Sequence, residues 1–185
     1  MELFGYINSP FVRHVCIALA ETQLPYTFNT VDGDISAKLS PTKKVPFLQD
    51  GKLLLSDSTS ILRHIREQAG QPFLATVQDL DAYCLINTLM DSTINLFLLE
   101  RSGVSFDGVT YIERQQKRIL EGLEHLNQLN ICANTYDHDV VVRLQCFLIW
   151  ALFRNRFTVD GHTNLQTLIK NCEHEATFIA TRPQA

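Results

Sequence analysis

The feature that most restricts the fold of this chain is a change of rhythm at Gly70-Gln71-Pro72. Before it, short β-rich segments alternate with helical ones. After it, every periodic segment is helical. Glycine and proline together interrupt both periodicities, so the tripeptide marks a boundary. A chain of 185 residues with 45% hydrophobic content suits one compact unit, or two small ones sharing an interface. The expected organisation is a domain over residues 1–70, a linker over 71–76 and an all-helical domain over 77–185.

In the first part, Leu3 to Ile7 reads as a strand, and Val12, Val15, Cys16 and Leu19 recur behind it at helical spacing. Leu24-Pro25 ends that helix. The alternating stretch Tyr26 to Val31 reads as a second strand. Asp32-Gly33-Asp34 is a turn, followed by a short helix that ends before Ser40-Pro41. Val45 to Leu48 and Lys52 to Leu55 form strands joined by the hairpin turn Asp50-Gly51. Ser56-Asp57-Ser58 opens a helix with Ile61, Leu62 and Ile65 on one face, closing near Gly70. The order β-α-β-α-β-β-α, with an early crossover and a late hairpin, predicts a mixed four-stranded sheet.

Four helices are expected beyond the boundary. Gln78 to Arg101 carries an apolar stripe from Ile86 to Leu98, and its apolar residues lie on two sides. Val109 to Leu129 sets Ile112, Ile119, Leu123 and Leu126 against a charged face that reads as solvated. A helix from about Asp139 is apolar nearly all round through Phe153, as a central buried helix is. A last one carries Leu165, Leu168, Ile169, Cys172 and Ala176 in phase.

Three spots in the first domain hold groups suited to chemistry, and each also has a plain structural reading. Ser9 sits at an N-cap with Pro10 at the first helical position. Its hydroxyl either caps the helix alone or also serves a ligand. Val45-Pro46 enters a strand where proline is unusual. Either a trans proline starts an edge strand, or a cis bond turns the Val45 N–H and C=O toward a ligand. Asp57-Ser58 begins a helix, which is either a plain cap or an anion site built on free N–H groups and the dipole.

The three together resemble the glutathione transferase family, in its Ser-type, bacterial-like form. Gly5-Tyr6-Ile7-Asn8-Ser9-Pro10-Phe11-Val12-Arg13, Lys44-Val45-Pro46-Phe47-Leu48 and Leu55-Ser56-Asp57-Ser58-Thr59-Ser60-Ile61 are similar to its N-terminal motifs, in order and at matching separations. Ala180-Thr181-Arg182-Pro183 is similar to a common ending. The resemblance implies a thioredoxin-like N-terminal domain and an all-helical C-terminal bundle. It implies glutathione as co-substrate, a hydrophobic electrophile as second substrate and a homodimer. It makes Ser9 the donor that holds the glutathione sulfur as thiolate, and Val45, exposed by a cis-Pro46, the backbone partner of the cysteinyl residue. Ser58 would hold the γ-glutamyl carboxylate, Asp57 would meet the γ-glutamyl amine, Lys44 would face the glycyl carboxylate, and Phe11 would edge the second pocket. The alternatives it leaves are a glutathione-dependent isomerase, whose branch has Ser-Ser-Cys where this chain has Asn8-Ser9-Pro10, and a non-catalytic stress or regulatory protein on the same fold.

Rival residues fit less well. Tyr6 lies three positions before the matching serine, and Cys16 lies inside the first helix, well past its N-terminus. Two departures stand out. Lys43 occupies a position where the family often has glycine, and Tyr136 stands where a capping residue for the helix at Asp139 is usual, so Asp137 is the expected substitute. The net charge of −4 and a longest basic run of Lys43-Lys44 argue against a nucleic-acid partner. Five dispersed cysteines without C-x-x-C, and six histidines without ligand spacing, suggest neither a disulfide framework nor a metal site. With no basic leader before an apolar run and the most apolar segment, Val140 to Phe153, interrupted by Arg143, the reading is cytoplasmic, with no membrane partner.

Overall fold

The computed structural model describes residues 1–133 and 135–184. The strands are β1 (Glu2–Gly5), β2 (Thr27–Thr30), β3 (Phe47–Asp50) and β4 (Leu53–Leu55). Helices α1 (Pro10–Thr22), α2 (Gly33–Leu39) and α3 (Ser58–Gln68) interleave with them. Then follow α4 (Val77–Arg101), α5 (Thr110–Leu129), α6 (His138–Phe153), α7 (Thr163–Cys172) and α8 (Ala176–Ala180).

The sheet order is β2-β1-β3-β4. β1 runs parallel to β2, with Leu3 opposite Phe28, as the α1 crossover requires. It runs antiparallel to β3, with Leu3 opposite Leu48, and β3 returns antiparallel to β4, with Leu48 opposite Leu55. This is the thioredoxin-like arrangement expected. The strands are shorter than the apolar runs suggested: Tyr6 to Ser9 forms a turn closed by the Ser9 N–H on the Tyr6 carbonyl at 2.9 Å. β3 begins only after Pro46, which has no N–H to give the ladder. α2 starts earlier than expected, because Asp32 caps it by accepting the Ile35 N–H at 2.8 Å.

α1 and α3 pack together over a core of Leu3, Val12, Val15, Leu48, Ile61 and Ile65, all buried. Each such side chain contributes about 1.5–3 kcal/mol on burial. Gly5 lets α1 approach β1: a Cβ there would lie 2.6 Å from Val12 Cγ1. The Arg66 guanidinium ties α3 to α1 through Glu21 at 2.8 Å.

The chain divides into two compact units. One is Leu74–Cys172, and the other joins Met1–Phe73 with the tail from Glu173 onward. The expected division gave that tail to the helical domain, and its last residue, Ala185, lies outside the described residues. The reason for the difference is a break at residues 173–175 that the apolar phasing hides. Leu165, Leu168 and Cys172 are buried on α7, whereas Ala176 begins the separate α8, which packs on α1. In the helical unit α6 is the buried centre, as its all-round apolar character predicts, and it packs on α4 and α7. Asp137, not Tyr136, caps it, accepting the Asp139 N–H at 2.8 Å.

Candidate functional site

The sheet register sets the site's position. β1 ends at Gly5, β3 begins at Phe47 opposite Phe4, and β4 ends at Leu55 opposite Leu48. The segments 6–9, 43–46 and 56–58 therefore emerge at one end of the sheet. Thr42, just before the second of these, donates its hydroxyl to the Ser56 carbonyl of the third at 3.5 Å.

Ser9 is the N-cap of α1, with extended backbone (φ −78°, ψ 127°), and Pro10 follows at the first helical position. Its Oγ accepts the Val12 N–H at 3.4 Å, and its carbonyl accepts the Arg13 N–H at 2.9 Å. The Ser9 hydroxyl proton has no acceptor among the described residues, so the oxygen caps while the proton remains available to donate. Phe11, half-buried, is the second residue of α1.

Val45 precedes a cis bond to the buried Pro46. Among the described residues neither its N–H nor its C=O enters a hydrogen bond, and it is only half-buried. An unpaired backbone donor and acceptor at one residue match what an extended peptide ligand offers. Lys44 is exposed and makes no ion pair among the described residues. Lys43 holds a left-handed backbone, φ +55°.

Asp57 caps α3 by accepting the Thr59 N–H at 2.8 Å, and its carboxylate is exposed. Ser58, the first residue of α3, is buried. Neither α1 nor α3 carries an acidic residue in its first turn. The partial positive charge of each N-terminus is thus left for a ligand, apart from what Asp57 offsets at α3. Cys16 is excluded as a nucleophile, because burial pushes its thiol up to about 12. No group of three or more His, Cys, Asp or Glu suited to a metal occurs among the described residues.

The tail brings in residues that no sequence pattern announces. Asn8, just before Ser9, pairs with both backbone groups of Gln184: Oδ1 accepts its N–H at 2.7 Å and Nδ2 donates to its C=O at 2.8 Å. Arg13, buried in α1, donates to the Phe178 carbonyl at 2.9 Å and to the Thr181 hydroxyl at 3.2 Å. Its guanidinium also lies 5.0 Å from the Phe178 ring centre.

Comparison with known proteins agrees with this geometry. Residues 3–73 match the family model described as "Glutathione S-transferase, N-terminal domain". A bovine (Bos taurus) glutathione S-transferase theta-1 is 30% identical over 89 residues, 44% of this chain and 37% of that protein, so the match spans well under half of the relative. A glutathione S-transferase from Methylobacillus flagellatus KT, solved with glutathione bound, superposes with a TM-score of 0.86 at 20% identity, over 99% of each chain. One from Methylobacterium radiotolerans, in complex with glutathione sulfonate, gives 0.82 at 21% identity, over 100% of this chain and 95% of that one. These two structures establish the common fold, and the matched N-terminal segment goes further. Residues 3–73 are similar in sequence, as well as in fold, to the N-terminal domain of the glutathione S-transferases.

Proposed function

We propose that this protein is a glutathione transferase of the Ser-using kind, which holds glutathione as a thiolate and delivers it to a hydrophobic electrophile. The observation that carries the reading is Ser9: its oxygen caps α1 while its proton has no acceptor among the described residues. A free thiol of pKa about 8.5 is only a few per cent ionised at pH 7. Lowering it by about two units takes roughly 2.7 kcal/mol. An exposed helix N-terminus supplies about 0.3–1 kcal/mol, and a hydrogen bond to a charged group about 1.5–3 kcal/mol. The dipole of α1 falls short alone, and the Ser9 hydroxyl makes up the difference. Ser9 then acts as donor and forms no covalent bond itself.

The other contacts follow from the three segments at the sheet end. The open N–H and C=O of Val45, presented beside Pro46, pair with the cysteinyl residue of glutathione. Ser58 at the start of α3 meets the γ-glutamyl carboxylate, Asp57 the γ-glutamyl amine, and Lys44 the glycyl carboxylate. Phe11 edges the pocket of the second substrate. In the reaction the thiolate sulfur attacks an electrophilic carbon. A carbon–sulfur bond forms, and the leaving group departs with its electron pair.

Five free cysteines favour a reducing compartment such as the cytoplasm. The exposed apolar residues of α4 favour a homodimer. Calorimetric titration with glutathione tests the reading directly: binding at millimolar concentration or better is expected, and no heat would end it. Given binding, Ser9→Ala should raise the pKa of the bound thiol by about one to two units, read from thiolate absorbance. An unchanged pKa would remove Ser9 from its role.

A further inference from the structure

We infer that Asn8 is a positioning residue, through which the C-terminal tail holds Ser9 in place. The inference deepens the glutathione reading and rests on it for its catalytic consequence. Its structural half stands without it.

Asn8 is buried, and its side-chain amide is paired with the two backbone groups of one residue, Gln184, which lies 176 positions away. Nδ2 also reaches the Tyr6 hydroxyl at 3.3 Å. Such a two-point contact resembles one rung of an antiparallel ladder, with a side chain in place of a strand. It acts on the turn from Tyr6 to Ser9, which is otherwise closed by one hydrogen bond at 2.9 Å. One helical turn further on, the buried Arg13 takes hold of the same tail at Phe178 and Thr181, while its own N–H bonds the Ser9 carbonyl. Ser9 thus lies between two anchors of one segment. A donor must be held near its productive geometry to favour charge on a sulfur, and residues that lock it contribute without touching the reactant.

The contact reads backbone at position 184, and that makes it separable from the side chain there. Gln184→Ala keeps the N–H and C=O that Asn8 binds. Gln184→Pro removes the N–H. Asn8→Ala removes the clamp from the other side.

The experiment compares these three variants with the unaltered chain. Backbone amide exchange at Ser9 and Val12 is measured first, without glutathione. Gln184→Pro and Asn8→Ala should each speed it by about five- to thirtyfold, with Gln184→Ala unchanged. The double variant Asn8→Ala/Gln184→Pro should add nothing beyond Asn8→Ala, because Asn8→Ala already removes the bond that Gln184→Pro removes. The pKa of the bound glutathione thiol is measured next. It should rise by about half to one unit in Gln184→Pro and Asn8→Ala, with glutathione Kd altered less than about threefold. Equal exchange in Gln184→Pro and Gln184→Ala would overturn the tether. Faster exchange with an unmoved thiol pKa would overturn the coupling to Ser9 and leave the tail a structural strap. Failure of the unaltered chain to bind glutathione would instead end the functional reading, while the exchange comparison would still decide the tether.

Discussion

Lys43 breaks a local rule, as Gln23, Leu74, Asn130 and Asn155 also do by holding a positive φ without being glycine. It holds φ +55°, a conformation that costs a side-chain-bearing residue about 1–2 kcal/mol. Its family-level departure, lysine where glycine is frequent, was visible in the sequence. The backbone angle supplies the physical reason that glycine suits the position. Lys43→Gly should therefore stabilise the chain by up to about 1 kcal/mol, the gain being trimmed by glycine's greater freedom when unfolded. A rise in the urea midpoint with unchanged slope would show it, and a fall would mean that the lysine side chain contributes more than its backbone costs. The cysteines give a second expectation. Cys84 and Cys132 are exposed, whereas Cys16, Cys146 and Cys172 are buried, and burial holds the Cys16 thiol near 12. A maleimide at neutral pH should label Cys84 and Cys132 in the native chain, and all five after denaturation. Rapid native labelling of Cys16 would contradict the packing of α1. The sequence made its burial legible, since Cys16 falls in phase with Val12, Val15 and Leu19.

At the scale of elements, two helix starts are knitted by carboxylates. Asp79 closes a capping box with Thr76, and its Oδ1 accepts the Asp137 N–H at 2.8 Å. Asp137 in turn caps α6 and accepts the Leu74 N–H at 3.1 Å. Burial pushes the Asp79 carboxyl up, but the bonds from the Thr76 hydroxyl and from the backbone of Asp137 and Thr76 outweigh it, so it titrates below the ordinary value. A depressed carboxyl adds stability above its unfolded pKa of about 3.9, and that stability is lost as pH falls through the folded value. Asp79→Asn should cost about 1 kcal/mol at pH 7 and less at a pH below the unfolded value of about 3.9. Equal losses at both pH values, by urea denaturation, would show that the charge plays no part. Sequence reasoning reached Asp137 as a cap because capping needs only neighbours in the chain. It did not reach Asp79 as its partner, 58 residues away. It also ran α7 and α8 together, because Ala176 falls in phase with Cys172 and no Gly or Pro marks the break at 173–175.

For the whole molecule, what was legible follows the same division. The three motif segments were readable one by one, since caps and turns are local. Their emergence at one end of the sheet depends on strand register, which the pattern of short apolar runs does not fix. The tail contact was illegible because Asn8 reads the backbone of Gln184, and backbone recognition leaves no side-chain signature. The two-sided apolar character of α4 was readable and has a consequence for assembly. One side packs on α5 and α6, with Gly122 allowing α5 to sit against Leu89. The other leaves Val77 84%, Leu80 46% and Leu98 49% exposed. Among the described residues α4 alone has the length and apolar composition of a membrane span. Yet it displays Asp81 and Asp91 at its surface, and carboxylates in a bilayer cost about 2.5–3.5 kcal/mol each. The homodimer proposed above would tolerate both the leucines and the aspartates, because an interface keeps a polar rim around an apolar centre. Sedimentation should therefore give twice the chain mass of 21.1 kDa. Leu80→Glu should weaken the dimer by at least about tenfold, since each 1.4 kcal/mol lost is a factor of ten, while far-UV circular dichroism stays unchanged. A dimer indifferent to Leu80→Glu would move the interface off this stretch of α4, and a monomeric unaltered chain would remove the homodimer altogether.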